Sequence, residues 1–180
     1  LPVLKDYLRL RTLDSYAPYL SSRFVDANFG FHGTVLNGTP QNQALWKRGV
    51  TLVTNAMGEE IGKVYVERYF PPEAKAEMDK LVANVIAAMD RRIQGLTWMA
   101  PETKTRARAK LAAFTPKIGF PEEWRDYSSL RVERDNLVGN VIRANEFEHQ
   151  RQLNKLGQPV DRREWGMYPM TINAYPISTG

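Results

Sequence analysis

The sequence predicts a mainly α-helical chain that ends in a short edge β-strand. Two observations carry this. Apolar residues recur at steps of three and four along most of the 180 residues, which is the spacing of amphipathic helices. After residue 167 the spacing changes to alternation, which is typical of a strand. The formal net charge of +5 is too small to indicate a particular partner.

Apolar spacing predicts the first three helices. Leu4 and Leu8 indicate a first helix that ends near residue 16, and a second is expected over about residues 18–36. The third, over residues 43–70, contains Gly49, Gly58 and Gly62, which indicate either close approach by a neighbouring helix or a kink. It also has the longest apolar stripe, at steps of 4, 3, 4, 4 and 3: Trp46, Val50, Val53, Met57, Ile61 and Val64.

Proline and glycine delimit the other three helices. Pro71 and Pro72 end the third helix and begin a fourth, which Gly95 closes. A fifth is expected over residues 101–114, starting at a proline that suits a first helical turn. A sixth begins at about residue 128 or 134 and runs to 156.

The predicted strand begins at Tyr168 and alternates through Tyr175. Pro169 cannot donate to a strand ladder, so the strand lies at an edge or begins as one. An exposed edge strand can bind an extended peptide through main-chain hydrogen bonds. Asn173, on the polar face, adds a side-chain donor and acceptor for such a peptide.

Several common catalytic and nucleotide-binding motifs are absent from the sequence. There is no nucleophile elbow, phosphate-binding loop or dinucleotide fingerprint. The two histidines, His32 and His149, lie on separate predicted helices, and neither has the spacing of a zinc-peptidase helix. With no cysteine, disulfides and thiolate metal sites are excluded. No apolar run reaches the roughly 20 residues that a membrane span needs.

Two kinds of charged cluster are interpreted as solvated surface. The adjacent pairs Glu59-Glu60 and Glu122-Glu123 point about 100° apart on a helix, so neither forms an acid–base dyad. The basic run over residues 104–110 has no interleaved aromatic side chain for stacking on bases, so we expect a solvated helix face and no nucleic-acid partner.

Several short stretches fall in a characteristic order between about Tyr7 and Tyr175. They are Ser15-Tyr16-Ala17-Pro18-Tyr19-Leu20, Trp46-Lys47-Arg48, residues 65–75, Lys117-Ile118-Gly119-Phe120-Pro121, Trp124-Arg125-Asp126-Tyr127, residues 159–167 and Ile172-Asn173-Ala174-Tyr175. None is a catalytic motif alone. Together they resemble the neprilysin-like zinc metallopeptidases, a family that includes endothelin-converting enzyme and bacterial oligopeptidase O.

The resemblance implies a mostly helical, two-lobed shell around a cavity. Residues 1–160 would form part of the helical lobe, and residues 161–180 the connection to the catalytic lobe. Asn173 and Ala174 would bind the main chain of a peptide substrate. The family's zinc ligands and general base match nothing in this chain, so we expect no metal and no catalytic residue in it.

The function that follows is that of a fragment of a zinc-dependent metalloendopeptidase. The metal would polarise the scissile carbonyl of the peptide while a glutamate deprotonates the attacking water. The fragment alone is predicted to be inactive, and the alternative is a non-catalytic peptide-binding or protein-interaction module. Family members with disulfides often have a cysteine at the position of Gly49. In this respect the chain resembles bacterial members without disulfides. A periplasmic or extracellular location in a bacterial envelope is expected, with the cytoplasm left open.

Overall fold

In a computed structural model, which describes residues 2–176, the chain is mainly α-helical, as predicted. A 3-10 turn (Ala17–Tyr19) precedes the second α-helix, α2 (Ser22–Phe29), and a π-helical stretch (Gly30–Val35) continues that helix. The sixth helix starts later than predicted because the side chain of Asn136 caps it, accepting from the Gly139 amide at 3.1 Å. The α-helices are α1 (Pro2–Tyr16), α2 (Ser22–Phe29), α3 (Leu45–Tyr69), α4 (Pro72–Gly95), α5 (Pro101–Ala112) and α6 (Leu137–Leu153).

The predicted terminal strand is wrong over the residues that the structure describes, since residues 168–176 form no strand. Hydrogen bonds within the segment turn the chain instead. The Thr171 amide donates to the Tyr168 carbonyl at 2.9 Å, and the Asn173 amide donates to the Thr171 carbonyl at 3.0 Å. A strand needs a ladder to a neighbour, and residues 2–176 supply none. Alternation alone shows only which side chains would share a face.

The chain divides into two compact units, each made of two stretches. The first comprises the residues up to Gly58 and Asp126–Pro159, and the second comprises Glu59–Arg125 and the residues from Val160 on. Helix α3 contributes to both, and its backbone leaves helical geometry at Met57, with φ −140° and ψ 41°. A kink is thus present beside Gly58. The predicted division into a lobe and a connection at residues 160/161 stays a prediction.

The first unit contains buried apolar residues, an aromatic contact and polar contacts between its elements. Tyr127 and Val141 are each 6% exposed, and the Tyr127 ring stacks on Phe147 with centroids 5.4 Å apart. The carboxylate of Asp14 accepts from Asn28 Nδ2 at 3.0 Å and lies 2.9 Å from His32 Nε2. The hydrogen bond from His32 holds the pKa of Asp14 below its ordinary value.

Helices α4 and α5 of the second unit are joined by charged side chains. Arg108 makes a two-point contact with Asp90, its Nε and Nη2 donating to the carboxylate at 2.7 and 3.2 Å. This hydrogen bonding lowers the pKa of Asp90. Lys104 donates to the Gln94 carbonyl at 2.9 Å, which satisfies an acceptor in the last turn of α4.

The chain exposes much more surface than a compact protein of its mass. Its accessible surface is 14237 Å². A compact 20.6 kDa monomer would expose about 8,900 Å², and two separate compact halves about 10,700 Å². Large apolar side chains supply part of the difference. They include Trp46, Val50, Val53, Ile61 and Val64 of the α3 stripe, and Met78, Leu81, Val85 and Met89 of α4.

We predict that the Asp90–Arg108 contact stabilises the fold only while the carboxylate is ionised. A carboxylate with a lowered folded-state pKa stabilises the protein above its unfolded-state pKa, and that contribution is lost as pH falls through the lower folded-state value. The melting temperature of Asp90→Asn should therefore lie below that of the wild type at neutral pH. The difference should shrink below about pH 4, the ordinary range for aspartate.

The matched control is Asp79→Asn on the same helix, whose carboxylate lies 3.6 Å from Lys75 Nζ. Asp79→Asn should change the melting temperature less at neutral pH, because a single exposed pair contributes little. An Asp90→Asn difference that is independent of pH would contradict the prediction.

Candidate peptide-binding segment

The candidate peptide-binding segment, residues 161–176, belongs to the second unit, which also contains a buried ion pair. Glu59, on α3, is 5% exposed. One of its carboxylate oxygens accepts from the Arg125 backbone amide at 2.7 Å, and the other lies 3.2 Å from Arg125 Nη2. The prediction that Glu59 is solvated is therefore wrong, whereas Glu122 and Glu123 are exposed as expected. Charges are buried when they are paired and hydrogen-bonded, as the Glu59 carboxylate is here.

The second unit also contains an aromatic cluster formed by Phe70, Phe120 and Trp124. Trp124 directly precedes Arg125 in the sequence. Phe120 stacks on Trp124 with centroids 6.2 Å apart and planes 5° apart, and Phe70 meets Phe120 edge-on at 5.8 Å. Gly119 has φ +75°, and a Cβ there would lie 2.7 Å from the Phe70 ring. Only glycine adopts this backbone readily, so the position both turns the chain and admits the ring.

The later part of the segment packs on α3 at Gly62. A Cβ on Gly62 would lie 2.8 Å from Pro169 Cδ and 3.2 Å from the Trp124 ring. The predicted close approach is thus present at Gly62, but loop residues make it rather than a helix. At Gly49 a Cβ would meet no atom within 4 Å among the described residues, so close packing does not explain that glycine.

Charged side chains hold the start of the segment. Lys117 donates to the Glu164 carbonyl. Arg163 reaches Glu123 at 2.7 Å and Asp161 at 3.1 Å. Hydrogen bonding from Arg163 lowers the pKa of Asp161. These contacts tie residues 161–164 to the loop that carries the aromatic cluster.

The two predicted substrate-binding residues lie at the exposed end of the segment. Asn173 and Ala174 are both exposed, and the Asn173 side-chain oxygen accepts from the Ala174 amide at 2.8 Å. The hydroxyl of Tyr175 accepts from the Gly166 amide at 2.7 Å. Sequence reasoning missed Gly166 and Pro169 as parts of this arrangement, because neither residue type signals a contact with a distant partner.

Other candidate sites do not come together in the structure. His32 pairs with Asp14, and His149 lies exposed on α6. Within residues 2–176, no group of three or more His, Cys, Asp or Glu side chains could hold a metal ion. In the basic run over residues 104–110, Lys104 and Arg108 contact α4, so fewer charges are left for an anionic partner. No helix among the described residues could cross a membrane.

The model of Peptidase family M13, covering the N-terminal part of that family, matches residues 1–121. An endothelin-converting enzyme homolog from Locusta migratoria is 32% identical over 98% of this chain and 25% of its own length. The structure of Mycobacterium tuberculosis zinc metalloprotease Zmp1 in complex with an inhibitor is 48% identical, with a TM-score of 0.85 over 93% of this chain and 25% of that one. The same metalloprotease in an open state is 50% identical, with a TM-score of 0.81.

The chain therefore spans about a quarter of the length of the proteins that it matches. The matches cover nearly the whole chain rather than one motif. They confirm the expected resemblance and its helical fold.

We predict that Gly62 and Gly49 respond oppositely to alanine. Gly62→Ala forces Pro169 or Trp124 to move, and overpacking of this kind typically costs about 1–3 kcal/mol. Gly49→Ala lies on the same helix in open space, where alanine should stabilise by up to about 1 kcal/mol. The midpoints of urea unfolding measure both changes, and a neutral Gly62→Ala would mean that the segment does not pack on α3 at this point.

Proposed function

The chain belongs to peptidase family M13, and on that premise we propose that it is a section of a zinc-dependent metalloendopeptidase in which Asn173 and Ala174 bind the main chain of peptide substrates. One observation carries the proposal most strongly. The chain is 48% identical to a zinc metalloprotease whose structure contains an inhibitor, over 93% of its residues and with a TM-score of 0.85. Similarity at this level, over almost the full chain, supports a shared overall function.

The chemistry of the exposed segment suits recognition of a peptide backbone. A peptide main chain offers one N–H donor and one C=O acceptor at each residue. The side-chain amide of Asn173 can both donate and accept hydrogen bonds, and the backbone carbonyl of Ala174 can accept them. Because both residues are exposed, an extended peptide can reach these groups without displacing packed side chains. Binding of this kind recognises the backbone and not the identity of the substrate side chains.

We propose that this chain does not itself hold the zinc ion. His32 is paired with Asp14, and no cluster of three potential ligands occurs in residues 2–176. We therefore assign no catalytic step to this chain, and we propose that the zinc ligands belong to the rest of the full-length protein. The role left to this section is to bind and orient the peptide. A periplasmic or extracellular location stays a prediction.

We predict that Asn173→Ala in the full-length protein lowers kcat/KM for peptide hydrolysis by about tenfold to a hundredfold, the range expected for one or two lost hydrogen bonds to substrate. The assay would use a set of internally quenched peptides, with and without a zinc chelator. Loss of turnover with the chelator and recovery with added zinc would support the metalloendopeptidase assignment.

Asn42→Ala is the matched control. Asn42 is half-buried, and its side-chain oxygen accepts from the next backbone amide at 2.8 Å, as that of Asn173 does. Removal of this local bond alone should leave kcat/KM unchanged. Equal effects at the two positions would refute a substrate-binding role for Asn173. Peptide binding without turnover by the full-length protein would instead favour the non-catalytic module.

The 180-residue chain alone is predicted to hydrolyse none of these peptides when zinc is added. The reason is that its described residues bring no three ligands together. Turnover by the purified chain that depends on zinc and is abolished by chelation would show that the chain holds a zinc site after all.

A further inference from the structure

One hydrogen bond closes the segment that carries the proposed binding residues. The Gly166 amide donates to the Tyr175 hydroxyl at 2.7 Å, across nine positions of sequence. Within the closed loop, residues 168 and 171 form a turn and residues 171 and 173 are joined by a second main-chain bond. The segment therefore resembles a compact surface loop whose ends are held close together.

Packing fixes only the first part of this loop. Pro169 lies against Gly62 of α3, where a Cβ would be 2.8 Å from its ring. From Thr171 to Pro176 the chain is exposed, and Ile172 has a relative exposure of 104%. Apolar burial thus contributes little to the position of residues 171–174. Tyr175 directly follows residues 171–174, so the hydrogen bond to its hydroxyl restricts the backbone conformations of these residues.

We propose that Tyr175 and Gly166 form a clasp that positions Asn173 and Ala174 for peptide binding. The inference rests on the proposed function and adds two positioning residues to it. Tyr175 need not touch the peptide, because it acts by restricting the backbone two residues earlier. A loop already ordered before binding loses less conformational entropy when a ligand binds.

The clasp also gives a reason for glycine at position 166. A Cβ there would lie 2.6 Å from the Tyr175 hydroxyl oxygen and 3.1 Å from its Cζ. A larger residue would push the hydroxyl away from the amide that donates to it. Removal of the Tyr175 hydroxyl and addition of a Cβ at position 166 should therefore each break the hydrogen bond between these two residues.

The test uses Tyr175→Phe, Gly166→Ala and the double variant in the full-length protein. Each single variant should raise KM by about three- to tenfold, the worth of one hydrogen bond, with kcat nearly unchanged. The double variant should be no worse than either single variant, because the phenylalanine ring carries no hydroxyl for the new Cβ to displace. Independent effects would instead multiply.

Tyr69→Phe is the control, since Tyr69 is an exposed tyrosine of the same unit and should leave KM unchanged. Hydrogen exchange of residues 171–174 in the substrate-free protein provides a second readout. Tyr175→Phe should speed this exchange by about three- to tenfold, for the same reason.

The two readouts separate failure of the clasp from failure of the proposed function. Unchanged exchange in Tyr175→Phe, or multiplicative effects on KM in the double variant, would overturn the clasp. Faster exchange together with full activity in both Tyr175→Phe and Asn173→Ala would confirm the hydrogen bond but overturn its role in binding peptides, and would count against the proposed function.

Discussion

The buried carboxylate of Glu59 is the constraint on which the second unit depends. Removing one partner from such a pair typically costs about 3–5 kcal/mol, because the other charge is left buried and unpaired. Both donors to Glu59 that the structure shows come from Arg125, one from its backbone and one from its side chain. Residue 125 is therefore held in place relative to α3 by main-chain and side-chain contacts together.

The consequences of this pair reach the proposed binding residues through packing. Trp124 precedes Arg125, so its ring is placed against Gly62, where Pro169 also packs. Pro169 in turn opens the exposed loop that carries Asn173. A buried ion pair contributes little net stability compared with a well-packed apolar pair. Here the contact joins the loop at residue 125 to α3.

Exposed apolar surface distinguishes this chain from a small globular protein. Its accessible surface exceeds that of two separate compact halves by about 3,500 Å². Spacing predicts which residues share a side of a helix and not whether that side is covered, and the kink at Met57 interrupts the stripe predicted for α3. Such exposure supports the proposal that the chain is a section of a longer protein, because it spans about a quarter of the length of the relatives that it matches.

Sequence reasoning succeeded where the physical cause is local and failed where the partner is distant. Pro72 and Gly95 bound α4 as expected, because backbone restrictions act within a few residues. The burial of Glu59 could not be foreseen, since its partner lies 66 positions away and adjacent acidic residues are usually solvated. The strand prediction failed for a related reason, because alternation is a property of one segment whereas a ladder requires two.

Because residues 168–176 do not form the predicted strand, Asn173 and Ala174 would recognise a peptide in a different way. In an edge strand, successive residues alternate in direction and offer backbone groups to the partner at regular intervals. In this structure the Ala174 amide is already bound to the Asn173 side chain. In the proposed role, Ala174 therefore contributes its carbonyl and Asn173 its side-chain nitrogen. An aspartate at position 173 could keep the local bond but could not donate to a peptide carbonyl, so the asparagine amide supplies the donor that the turned backbone no longer provides.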